Sequence, residues 1–186
     1  MKKQETKIFR TVGIKYLENS FSDEELNNIS NILSAENIKL KTCSTPPKYT
    51  MCLEEIFAHI QILLSPDIVA LFSSLLYSGV YDAIKSSLKY IWQICKKKKI
   101  KKITKDKIEE ISPVIHVNIG DLKAILPIDM PQEKYEYFVD KLFDSLNKDT
   151  ISSERFAIFD EKENVIKYYT KTEVAFRHQK VKEENN

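Results

Sequence analysis

Three glycines in 186 residues, at positions 13, 79 and 120, leave no stretch able to form the glycine-rich phosphate cradle of a Walker or dinucleotide-binding loop. Nucleotide hydrolysis is therefore not expected. Cysteine is equally sparse. Cys43, Cys52 and Cys95 are odd in number and lack Cys-x-x-Cys spacing, which argues against a disulfide framework and predicts reduced thiols. His59, His116 and His178 are scattered, and no two stand at the i, i+4 spacing of a zinc-binding helix, so each is read as structural. No metal or cofactor is expected. The longest uncharged run, residues 68 to 81, is fourteen residues long, whereas a membrane-spanning helix needs ~20. The first ten residues carry basic groups without the apolar stretch of a secretory signal. These absences predict a soluble, cytoplasmic protein.

Catalytic patterns are missing as well. Glu54-Glu55 and Glu109-Glu110 are neighbours along the chain rather than facing carboxylates, and none of the cysteines lies in a nucleophile signature. The acidic turn at 160 to 164 lacks the spacing of a calcium loop and reads as a hairpin tip. An enzyme is not the favoured reading.

What is present suits a packed core. An apolar fraction of 42% over this length fits one domain, or two small units sharing a core. Alternation from Ile8 to Leu17 predicts a strand. Ser22 followed by Glu25 is a capping box, flanked by Phe21 and Leu26 as a hydrophobic staple. A helix is therefore expected from Asp23 to about Glu36, with Leu26, Ile29, Ile32 and Leu33 inward. Ile38, Leu40 and Thr42 mark a second strand, closed by the turn at 44 to 48, and residues 56 to 64 are read as a third. Ser65-Pro66-Asp67 opens a long helix. Its first half is apolar all round and is expected to be central and buried. Its second half is amphipathic, with Tyr81, Ile84, Leu88, Ile91, Trp92 and Cys95 in one stripe. Gly79, where the pattern changes, marks either a break or close packing.

Further on, 114 to 119 and 122 to 126 flank Gly120-Asp121 as a hairpin. Pro131 begins a helix whose stripe is Tyr135, Phe138, Val139, Leu142, Phe143 and Leu146. Segments 155 to 159 and 165 to 170 form a second hairpin, and a short helix is expected from Thr172. The order β-α-β-β-α then β-β-α-β-β predicts an α+β fold of mixed small sheets with one long central helix. The expected layout is an α+β unit at 7–95, a lysine-rich connector at 96–111 and a ββαββ unit at 112–178, with tails at 1–6 and 179–186.

One surface signal stands out. Residues 85 to 107 hold ten lysines and one aspartate, a local charge of +9; with +2 overall, the remainder sums to −7. Lys89, Lys96, Lys97, Lys98, Lys99, Lys101, Lys102, Lys105 and Lys107, with Tyr90, are the candidate contacts for an anion or a partner. Lysines at a helix end suit its dipole, which gives the block a structural use. Phosphate contact is the functional alternative, with Tyr90 as a stacking surface, while Trp92 belongs to the apolar stripe. Only three arginines occur, Arg10, Arg155 and Arg177, and none lies in the block, which weakens a nucleic-acid reading. The favoured reading is a noncatalytic protein-interaction module, a small subunit or a homo-oligomer. Sequence-tolerant nucleic-acid binding through 96 to 107 comes second. A membrane-active helix at 66 to 95, its lysines on anionic headgroups, is the weakest.

Overall fold

The computed structural model describes residues 10–46, 59–72, 78–103, 107–146, 155–160 and 162–176. Its elements in chain order are β1 (Thr11–Leu17), α1 (Asp23–Ser34), β2 (Lys39–Thr45), β3 (Ile60–Leu64), α2 (Pro66–Phe72), α3 (Ser78–Lys96), β4 (Ile100–Ile103), β5 (Ile108–Ile111), β6 (Ile115–Ile119), β7 (Leu122–Leu126), α4 (Gln132–Leu146), β8 (Arg155–Asp160) and β9 (Val165–Tyr169). A short α5 (171–176) follows. The fold is α+β.

Seven strands form one mixed sheet in the order β2-β1-β3-β6-β7-β8-β9, and β4 and β5 form a separate two-stranded sheet. Segments 7–95 and 112–178 thus share a sheet, joined where β3 pairs parallel with β6, Ile60 opposite Ile115. Alternation along the strands turns Val12, Ile14, Ile60, Ile62, Leu64, Ile115, Val117, Leu122, Ala124 and Phe159 into one buried cluster. There they meet Ile29 and Leu33 of α1, Leu88 and Trp92 of α3, and Phe138 and Leu142 of α4. Full burial of such a side chain is worth roughly 1.5–3 kcal/mol. That makes this face the main stabilising layer.

Local signals act where the sequence places them. Ser22 and Glu25 cap α1 reciprocally: the Ser22 N–H donates to Glu25 Oε2 at 2.8 Å and the Glu25 N–H to Ser22 Oγ at 3.2 Å. At the other end Asn37 takes a left-handed φ of 57°, and the Ile38 N–H reaches back to the Leu33 carbonyl, a Schellman closure with asparagine in the place glycine usually fills. Gly120, at φ +59°, turns β6 into β7.

The expected long helix is described in two parts. Helix α2 ends at Phe72 and α3 starts at Ser78, with 73–77 outside the described residues. Only Ile68 of α2 is fully buried, and Ala70 is exposed, so the described residues of α2 are not buried all round as expected. Its Phe72 packs against Tyr81 and Phe143. Gly79 sits at a close approach: a Cβ there would lie 2.6 Å from the Glu36 carboxylate at the end of α1. In the expected third strand, 60–64 is extended, while 56–58 fall outside the described residues.

The expected connector at 96–111 holds the antiparallel pair β4 and β5. Ile100 stands opposite Ile111, Lys101 opposite Glu110, Lys102 opposite Glu109 and Ile103 opposite Ile108. Each face holds one isoleucine pair and one lysine–glutamate pair, so simple apolar alternation never appears.

Candidate interaction surface

Helix α3 presents its lysines to neighbouring elements. Lys85 reaches Asp140 of α4 at 2.5 Å, where the Tyr81 hydroxyl also donates at 2.7 Å, and Lys89 reaches Glu136 of α4 at 2.6 Å. Hydrogen bonds from Lys89 and Gln132 hold the Glu136 carboxyl below its ordinary range. Lys96 lies over the Trp92 ring at 4.7 Å and donates to the Met130 carbonyl at 3.0 Å. Lys98 donates to the Ser20 carbonyl and to Glu25, each at 2.7 Å, above the Phe21 ring. Lys99 donates to Ser112 Oγ at 2.9 Å, and Lys107 pairs with Glu109. These contacts tie α3 and the hairpin to α1 and α4. Lys97 and Lys101 are exposed and form no ion pair among the described residues. Lys102 stands in β4 opposite Glu109, and Lys105 lies outside the described residues.

The aromatic neighbours of the block are also engaged. Tyr90 accepts a hydrogen bond from the Asn28 side-chain amide of α1 at 3.0 Å. Trp92 is buried, stacks on Tyr135 with ring centroids 4.5 Å apart and donates to the Pro127 carbonyl at 2.9 Å. With Ile84, Leu88, Ile91 and Cys95 also buried, α3 has no apolar face left to lay on a bilayer. No helix among the described residues is long and apolar enough to cross a membrane.

Titratable groups follow the same structural pattern. His59 Nδ1 accepts from the Val114 N–H at 3.0 Å, which fixes the start of β3 beside the start of β6. His116 is buried on the other face of the sheet, edge-on to Phe156. Burial pushes the Cys95 thiol up to about 12, which keeps it protonated and unreactive. Cys43 is exposed on β2; Cys52 and His178 lie outside the described residues. Among the described residues, no group of three or more metal-ligating side chains converges.

A feature that the sequence did not mark lies at the far edge of the sheet. Among the described strands β9 is the last, paired only with β8. Between it and α4 runs an open groove of about 350 Å³ lined by Tyr137, Lys141 and Asp144 on one side and Asn164, Val165, Ile166 and Tyr168 on the other. Tyr137 and Tyr168 are 39% and 37% exposed on the helix side, and Val165, on the other side of the strand, is 43% exposed, large values for apolar and aromatic side chains. Opposite β8 partners show the facing. Ile166 stands beside buried Phe159 and Tyr168 beside buried Ala157, so both look toward the helix layer. Below the rim, Phe138 and Tyr137 make edge contacts with Phe159. Chemically, this is an apolar shelf next to a strand with no outer neighbour among the described strands, with one charge of each sign on its wall.

Comparison with protein-family models, curated proteins and solved structures finds no match for this chain.

Proposed function

We propose that this protein is a noncatalytic interaction module of the cytoplasm that binds a protein partner along β9 and the α4–β9 groove. One observation carries the reading: exposed Tyr137 and Tyr168 line a groove at a sheet edge that has no neighbouring strand among the described residues. Strand addition at such an edge draws affinity from backbone hydrogen bonds and specificity from alternate side chains. Aromatic residues are also the groups most often enriched at interface centres. The test is site-specific photo-cross-linking in the host cell, with a photoreactive side chain at position 168 and, as control, at position 42 on β2. Protein adducts at 168 and none at 42 are expected. An absence of adducts at 168, or equal yields at the two positions, would count against the module.

A second reading, sequence-tolerant contact with nucleic-acid phosphates, draws support from Lys97, Lys99 and Lys101, exposed around the end of α3 and the start of β4. About three available charges predict a log–log salt slope of roughly −2 to −3, shallow for a nucleic-acid protein. Undetectable binding at low salt would remove this alternative.

A further inference from the structure

Resting on the interaction reading above, we propose that the partner on the β9 edge is a second copy of this chain, its β9 antiparallel to the first about a two-fold axis near Lys167.

The strand is self-complementary in that register. Ile166 falls opposite the partner's Tyr168, twice by symmetry, on the helix side, and Val165 falls opposite the partner's Tyr169 on the other side. Aromatic–aliphatic cross-strand pairs are favourable. Lys167 meets the partner's Lys167 at the axis, a placement that bare charges would resist. Here each ammonium is already held by Asp160 and Glu163, both at 2.8 Å, so two lysines meet among four carboxylates.

The helix layer fits the same symmetry. Helix α4 sits over β8 through the Phe138–Phe159 contact. Three strand spacings of ~4.8 Å would put the two α4 helices roughly 14 Å apart, against about 8–10 Å for helices in direct contact. Tyr137 and Tyr168 of both copies occupy the difference. Because α4 joins the parallel strands β7 and β8, it runs with β9, and the two α4 helices are antiparallel. Lys141 and Asp144, one helical turn apart, lie on the groove wall of each copy. The opposite edge has no such match, since β2 exposes Lys39 and Lys41.

Analytical ultracentrifugation of the full chain is expected to give twice its 21.7 kDa mass, and Tyr168→Glu to weaken association by about 30-fold or more. In a chain carrying Cys43→Ser and Cys52→Ser, Lys167→Cys is expected to cross-link under mild oxidation, because directly opposed Cβ atoms stand ~5 Å apart. That cross-link decides the matter even if Tyr168→Glu fails to fold. A monomer at about 100 μM, or a dimer that Tyr168→Glu leaves intact with no cross-link at 167, overturns the proposal. A monomer whose position 168 still captures a different protein overturns the second copy alone and leaves the interaction module standing.

Discussion

At one edge of the sheet, β2 exposes Lys39, Lys41, Thr42, Cys43 and Ser44; at the other, β9 exposes Val165 and Tyr168 beside Tyr137 of α4. Both strands end the same sheet and both leave backbone groups without a described neighbouring strand. Lysine on an edge strand resists the approach of another chain, because pairing would strip water from its charge. At β9 the one lysine, Lys167, is neutralised within its own chain by Asp160 and Glu163. One edge is guarded and the other is prepared for contact. Under the proposed function, the difference places the partner at β9 rather than at the lysine block, several of whose charges join α3 and the hairpin to their neighbours.

The most disruptive way to break this contrast is to remove the support under β9. Phe138 is fully buried against Phe159, and Phe138→Ala is expected to cost ~3–5 kcal/mol in urea unfolding and to abolish association with it. Exchanging edge chemistry without touching the core comes next. Tyr168→Lys, which gives β9 the character of β2, is expected to lose about 2 kcal/mol of association in sedimentation equilibrium. Thr42→Lys on the guarded edge should leave association unchanged and stability within about 0.5 kcal/mol. Equal effects at the two positions would erase the distinction.

That distinction was hidden in the sequence for a physical reason. Ser22 and Glu25, the Pro131 helix and the turn at Gly120 act over a few residues, and each was legible because its partners are neighbours in the chain. Strand order is different: nothing in Val165–Tyr169 states that β9 lies at an edge, since that depends on β7 joining β8 through α4. Tyr137 and Tyr168 are single aromatic residues in separate elements and form a surface only after folding. Lysines misled in the opposite way. Their density suggested an open basic face, whereas Glu25, Glu136 and Asp140, which receive Lys98, Lys89 and Lys85, are 47 to 73 positions away along the chain.

A smaller effect of opposite sign is expected within α4, the helix that walls the groove. Tyr135 is fully buried and its hydroxyl has no hydrogen-bond partner among the described residues, while its ring keeps the stack on Trp92. Tyr135→Phe removes the unsatisfied group and preserves the stack. Stability should rise by about 1 kcal/mol in thermal or urea unfolding, with association unchanged. A loss of stability would mean that the hydroxyl has a partner in solution.

The smallest effect lies beside the guarded edge, at the cap of α1. Burial raises the Glu25 carboxyl, but the Lys98 hydrogen bond, the Ser22 N–H and the Lys98 charge together outweigh it, leaving Glu25 below the ordinary carboxylate range. A carboxyl depressed in the folded state contributes stability that is present above its unfolded value, near 4.5, and is lost as pH falls through the folded one. Glu25→Gln keeps a side chain able to accept the Ser22 N–H and removes only the charge. At pH 7 it should cost roughly 0.5–1 kcal/mol, since Glu25 and Lys98 are partly solvated, and the difference from wild type should shrink as pH falls below 4.5 through the folded value. Because Lys98 also holds the Ser20 carbonyl, Lys98→Met should cost somewhat more than Glu25→Gln. Neither change should alter dimer mass, as both lie on the α1 side of the molecule, away from β9. If Lys98→Met did weaken association, binding would have to extend to the lysine block, and the contrast between the two edges would no longer suffice to place the partner.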